Sequence, residues 1–381
     1  MVRWKFPLAL LSLLSMPLVF GCGRQSPVTP SLAPGGALTS ADRGELDAIA
    51  ARTQFDRLAL KLGSPHVVEL PAGSADALAA AIAEAGDDGV VLVRSGVHTE
   101  SGTVEIPFKI TLVGEAGAVL ESTTSPMIAF GVDALQPALW LRGASGSVIR
   151  GLELRPAGAI GGGGILVHNS DNVSLLENNV HDYQFPMMME KANRTKVWGN
   201  RVVCSTGWQT GTIPEADGIV VVNGVNCLVA DNIVSGGIFG IWPCDRGGRV
   251  TGNKASSCLV GILLCCVPEI IKLPDGTITG AAISTRNALI QDNETWGNFT
   301  AGILAIDRAS SDQIVNNNSH DNGTYDVELS GDSYRFGFLT PASTNCKFVA
   351  GSFTSVRVKN CGNGNSVVGG ILVDNQVDPC N

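Results

Sequence analysis

A four-residue phrase, apolar-x-x-Asn, returns six times along the chain: Leu175 with Asn178, Val197 with Asn200, Val229 with Asn232, Val250 with Asn253, Ile290 with Asn293 and Ile314 with Asn317. The Asn-to-Asn steps are 22, 32, 21, 40 and 24 residues, and Gly stands in the Asn place in outlying copies at Gly151, Gly351 and Gly370. A second phrase, Gly-Ile followed by apolar residues, opens at Gly164, Gly218, Gly240, Gly261 and Gly302. A unit of this length with strands of a few residues cannot bury its apolar face alone, whereas stacked units bury a continuous one. Each strand then pairs in parallel with its counterpart in the next unit, about 4.8 Å away. The pattern predicts a solenoid. Asn suits its corner on two counts: it tolerates left-handed backbone, and stacked amides hydrogen-bond along a column. Gly meets the backbone need alone.

The N-terminal residues are of another kind. MVRWKFPLALLSLLSMPLVFGCG carries Arg3 and Lys5, then an apolar run too short for a transmembrane span, and reads as a secretory signal over residues 1–21. GRQSPVTPSLAPGGALTS, rich in Pro, Gly, Ser and Thr, cannot bury a core and reads as a tether. A helix is expected after it, with Leu46, Ile49, Ala50, Leu58 and Leu62 at helical spacing and Gly63 at its end. Residues 22–64 are thus tether plus helix, and 65–381 the repetitive body. A net charge of -9 argues against nucleic acid as a partner, since phosphate binding needs a basic patch. The ten cysteines include no zinc-type spacing, so no metal site is expected from them.

The repeats resemble those of the right-handed parallel β-helix, or pectin-lyase-like, superfamily. ADALAAAIAEAG, VVLVRSGVHTE and VEIPFKITLVGEAGAVLE resemble that superfamily's entry, a capping helix followed by strand, Gly turn, strand and an ITLxG rung, with Ser74 as N-cap and Gly86 as terminator. The implied fold is all-β: a right-handed parallel β-helix of about ten coils with an N-terminal capping helix. The superfamily holds lyases, hydrolases, epimerases, adhesins and copper-loading proteins, so it does not define an activity. Val19-Phe20-Gly21-Cys22 likewise resembles a bacterial lipoprotein box. It implies lipidation of Cys22, a membrane partner through the lipid, and export to the outer membrane on its periplasmic or outer side; an ordinary signal peptide is the alternative.

Alternation along the Gly-Ile strands places Ile165, Ile219, Ile241, Ile262 and Ile303 inside, and Leu166, Val220, Trp242, Leu263 and Leu304 outside. That apolar outer stripe needs a cover, from the N-terminal helix or a long loop, or else it is a sugar-stacking or partner surface. Two long steps mark protruding loops: CSTGWQTGTIPEADG, with Trp208, Glu215 and Asp217, and EIIKLPDGTITGAAIS, where Pro274-Asp275-Gly276 reads as a hairpin turn. Trp242, Trp208, Glu215 and Asp217 are candidate substrate-binding residues.

After the Gly-Ile strands comes a polar column, Asn169, Asn223, Asp245, Cys266 and Asp307. Asp245-Arg246 and Asp307-Arg308 repeat within it, and two coils would separate the carboxylates by roughly 10 Å. Asx residues that cap turns and pair with Arg at the surface explain the column without chemistry. In β-helix polysaccharide lyases an Arg or Lys abstracts the proton beside a uronate carboxylate, often with calcium neutralising that carboxylate. That resemblance makes Arg246 and Arg308 the candidate bases, Asp245 and Asp307 the candidate ligands, and calcium the cofactor of a lyase. His181-Asp182 and His320-Asp321 recur at one offset, as a turn device would. Met187-Met188-Met189 alternate faces on a strand and cannot all reach one ion. Cys244 and Cys265 occupy one place in successive coils, within the Cα range of a disulfide, and Cys361 with Cys380 would tie down the tail. Cys227 and Cys346 read as core thiols. Three functions stay open: an exported polysaccharide- or envelope-binding protein, a polysaccharide lyase, and a structural or adhesive lipoprotein.

Overall fold

In the computed structural model, which describes residues 38–64, 66–265, 271–279, 284–335 and 338–373, the six corner asparagines form one buried line. Asn178 Nδ2 donates to Asn200 Oδ1 at 3.1 Å, and the links onward to Asn232, Asn253, Asn293 and Asn317 are each 2.9 Å. The backbone N–H of each donor residue reaches the same oxygen. The amide is therefore the reason for Asn. The left-handed backbone lies one residue earlier, at Glu177, Gly199, Asp231, Gly252, Asp292 and Asn316, with φ from 52° to 67°. This corrects the expectation that Asn itself takes that conformation. Gly151 belongs to the left-handed column: Arg150 pairs with Leu176, so Gly151 follows onto Glu177, and the N–H of Leu152 donates to Asn178 Oδ1.

Strands entering the Asn corner, such as Ser174–Leu176, build a parallel sheet of twelve strands, against the ten or so coils expected. Strands leaving the corner, such as Ile233–Ser235, and the Gly-Ile strands, such as Val260–Leu264, lie in the second large sheet. The result is a right-handed parallel β-helix. Ile165, Met187, Ile219, Ile241, Ile262 and Ile303 pair rung by rung, all inside and fully buried. Met188 points outward between two inward Met residues, as strand alternation requires.

Helix α1 (Ser40–Arg52) and helix α2 (Phe55–Ala59) replace the one helix expected, since Thr53 caps the first and Gln54 is extended. Leu46 and Ile49 pack on Val148, Leu176, Leu228 and Ala230, the outer face of the twelve-stranded sheet, and Leu58 packs on Leu92 and Val113. Helix α3 (Leu78–Ala85) closes the first coil and ends at Gly86, φ 70°. Ser74 does not cap it. The Glu100 carboxylate accepts from the N–H groups of Ala77 and Leu78 (3.2 and 2.9 Å), while Ser74 donates to the Pro71 carbonyl.

The stripe of Leu166, Val220, Trp242, Leu263 and Leu304 is covered by a long loop, one of the covers expected. Met127 and Leu135 from the segment before Pro137, and Ile271 and Leu273 from the hairpin, complete its apolar cluster. The hairpin strands Ile271–Lys272 and Ile278–Thr279 are antiparallel around Pro274-Asp275-Gly276, as expected. Leu135 N–H donates to the Lys272 carbonyl at 2.7 Å, and Arg142 Nη2 meets Asp275 at 3.0 Å, pinning the two pieces of the cover.

Candidate functional site

Of the residues expected to act, Asp245 and Asp307 do not share a column. Ile241, Ile262 and Ile303 start in step, but Arg246 bridges to Arg286 and Arg286 to Ser310. Five residues separate Ile241 from Arg246 and seven separate Ile303 from Ser310, so Asp307 and Arg308 sit in a turn extended by two. Both take left-handed φ, 48° and 66°, as Asn169 and Asn223 do at 49° and 57°. These are turn residues. Asp245 faces inward: one oxygen accepts from Cys227 N–H at 3.2 Å, the other has no partner among the described residues, and burial pushes its pKa to about 7. Burial also raises Asp307, against the pull of Arg308, and the Arg246 and Arg308 side chains are exposed. Among the described residues no cluster of three or more His, Cys, Asp or Glu is placed to hold a metal ion.

Trp242 is fully buried under the hairpin and packs edge-on against Phe239 at 5.6 Å, which corrects its expected exposure to substrate. Glu215 and Asp217 are buried too. Asp217 accepts from Phe239 N–H at 2.9 Å, and burial together with the Glu215 carboxyl raises it well above the carboxylate range. Cys244 and Cys265 are thiols, and Cys244 Sγ donates to the Cys265 carbonyl at 2.7 Å. Stacked side chains run parallel, holding their Cβ atoms about a strand spacing apart, beyond the roughly 3.8 Å a disulfide needs. Cys361 is disulfide-bonded, and its expected partner Cys380, like Cys22 and Cys266, lies outside the described residues. Cys227 and Cys346 are buried core thiols.

The outer face of the strands leaving the Asn corner is different. Two outward columns run there side by side. One stacks Arg201, Ile233, Lys254 and Glu294; the other stacks Val203, Ser235, Ser256 and Trp296. Between them lies an open groove of about 390 Å³, some 14 Å long for three coil spacings. Lys254 Nζ meets Glu294 at 3.2 Å, and His320 lies parallel to the Trp296 ring at 6.5 Å, with its Nδ1 on Asp321 at 2.8 Å. Trp208 borders the same edge. Its Nε1 donates to the carbonyl of Gly236, next to Ser235, at 2.7 Å, and its ring meets the exposed Phe299 edge-on at 6.4 Å. Of the expected substrate residues, Trp208 alone stands beside the groove, without lining it. The lining residues were not legible, because no one residue type recurs along either outward column, Arg201, Ile233, Lys254 and Glu294 sharing one position.

A second polar cluster that sequence reasoning missed is buried on the Gly-Ile face. His168 Nε2 lies 3.1 Å from the Glu190 carboxylate, beneath Trp140, whose ring stacks on the imidazole at 6.4 Å. The Arg142 guanidinium lies over that indole at 5.1 Å. His168, Glu190 and Trp140 are buried, while Arg142 stays half exposed at the rim.

The architecture therefore defines a parallel β-helix whose Gly-Ile face is sealed and whose open groove lies on another face. No family model and no curated protein matches the chain. Solved structures do. A Dettilon tailspike protein aligns at 15% identity and TM-score 0.54, covering 86% of this chain and 73% of its own. A polygalacturonase from Erwinia carotovora ssp. carotovora aligns at 11% and 0.54, covering 81% and 94%. ORF18 of Geobacillus virus E2 aligns at 13% and 0.51, covering 84% and 62%. At such identities the likeness is one of fold.

Proposed function

We propose that the protein binds polysaccharide in the groove between the Arg201 and Trp296 columns. The carrying observation is the union, on one open face, of an aromatic wall (Trp296, with Trp208 and Phe299 at its edge), two serine hydroxyls and charged groups of both signs. A sugar ring has apolar C–H faces that stack on indole and a rim of hydroxyls that pair with Ser, Lys and Glu. A groove open along its length suits a polymer better than a small molecule, which a closed pocket would bury. That one of the similar structures is a polygalacturonase agrees with the reading, although an 11% likeness carries fold alone.

Affinity electrophoresis through gels containing a panel of polysaccharides tests this. Retardation by at least one polymer is expected, with Trp296→Ala weakening it about tenfold, equivalent to ~1.4 kcal/mol. Absence of retardation across the panel would overturn the reading. Ultraviolet absorbance of an unsaturated product, followed with and without calcium, separates binding from β-elimination. In the same reading the chain is exported and held to a membrane by lipid on Cys22. Wild-type protein then partitions into the detergent phase on phase separation and Cys22→Ser into the aqueous phase; equal partitioning removes the anchor.

A further inference from the structure

Charge is not spread evenly along the groove. Arg201 stacks between Asn179 and Ile233, so its column places no carboxylate beside it, and its side chain is exposed. Two coils further on, Lys254 is already engaged by Glu294, and the Trp296 end adds Asp321 through His320. The Arg201 end is thus cationic, Ser235 and Ser256 line the middle, and the far end is aromatic and acidic. From this polarity, and resting on the polysaccharide reading above, we infer that the groove selects a heteropolysaccharide in which an acidic sugar is followed by neutral ones, and disfavours a polymer acidic at every sugar.

The physical argument is local. A carboxylate or sulfate at Arg201 gains a charge-assisted hydrogen bond, bidentate where the guanidinium fork is presented squarely. The same anion repeated two coils along finds Lys254 already paired with Glu294, and three coils along it meets the Glu294 carboxylate itself, where like charges in a partly desolvated groove repel. A neutral sugar there stacks on Trp296 and donates hydroxyl hydrogens to Glu294. Arg201 and Lys254 stand about 10 Å apart, two coil spacings, so the acidic and neutral sugars are read at separate places.

Calorimetric titration with three oligosaccharides of equal length, one with a single acidic sugar followed by neutral ones, one acidic throughout and one neutral, tests the inference on the whole protein. The oligomer with one acidic sugar is expected to bind tightest. Arg201→Gln should reduce its affinity about tenfold, to the level of the neutral oligomer. Glu294→Gln should raise affinity for the fully acidic oligomer several-fold. Tightest binding of the fully acidic oligomer by the wild type, or an unchanged ranking in Arg201→Gln, overturns the inference and leaves the polysaccharide reading standing. Failure of all three oligomers to bind, together with no retardation by any polymer, overturns both.

Discussion

At the scale of single residues, the corner asparagines show how one side chain stands in for a whole coil's missing backbone partners. Asn232 gives Nδ2 to the Val197 carbonyl and to Asn253, and its oxygen accepts from both nitrogens of Asn200. All of these groups are buried, so no water replaces a lost partner. Asn232→Ala should therefore cost on the order of 2–3 kcal/mol, since several donors and acceptors lose their partners at once. Asn179, next to the ladder but half-buried on the outer face, should tolerate Ala within roughly 0.5 kcal/mol. Urea denaturation of the two variants checks the contrast, and equal losses would contradict it. The ladder was legible because one residue type recurs. Its backbone geometry was not, because Glu177, Gly199, Asp231 and Asn316 share a conformation and no common side chain.

At the scale of elements, the question is what keeps helix α1 on the solenoid. Its length matches the body it crosses: Asp42 pairs with Arg249, Arg43 with Asp231 (3.3 Å), Glu45 with Lys196 (3.0 Å), and the Ala50 carbonyl with Arg150. These partners lie on four of five consecutive coils, in descending order, so the helix runs along the solenoid axis against the order of the coils. Ion pairs this exposed contribute little each, and the apolar side chains Leu46 and Ile49 decide the docking. Leu46→Ala removes about 2–3 kcal/mol of burial from the docked helix. Hydrogen exchange over residues 40–52 should then speed up by one to two orders of magnitude while the corner strands stay protected. Uniform loss of protection would show instead that α1 is part of the cooperative body. The sequence suggested a helix here, yet what it packs on was hidden, because the outward residues of the twelve-stranded sheet are small clusters scattered over three coils.

At the scale of the whole molecule, a stack of identical phrases makes the fold legible and obscures the site. Recurrence reveals the coils. The open groove in this body is assembled from what differs between coils, as Arg201, Lys254 and Trp296 do, and turn insertions such as the two residues before Ser310 shift apparent alignments such as Asp245 with Asp307. The same stacking leaves carboxyls inside. Asp245 and Asp312 are both raised by burial to about 7, Asp312 further by Asp245, and Asp217 is raised as well. Their unfolded values lie near 4, so between about pH 4 and 7 the folded protein binds more protons than the unfolded chain. Stability from these groups is therefore fully present below pH 4 and is lost as pH rises through 7. The limit is on the order of 4 kcal/mol for Asp245 or Asp312 taken singly, and less than the sum for both because the two are coupled. Exposed carboxylates with lowered values, such as Asp275 held by the Thr277 amide and Arg142, act in the opposite sense and only toward acid pH. Urea midpoints should accordingly fall from pH 5 to pH 8. The double variant Asp245→Asn with Asp312→Asn keeps an amide oxygen to accept from Cys227 and Ala288 N–H but carries no charge. Its midpoint should lie above that of the wild type at pH 8 and vary less with pH. A wild-type midpoint that rises over this interval, or a double variant with the same slope, would show that these carboxyls titrate as ordinary exposed ones do.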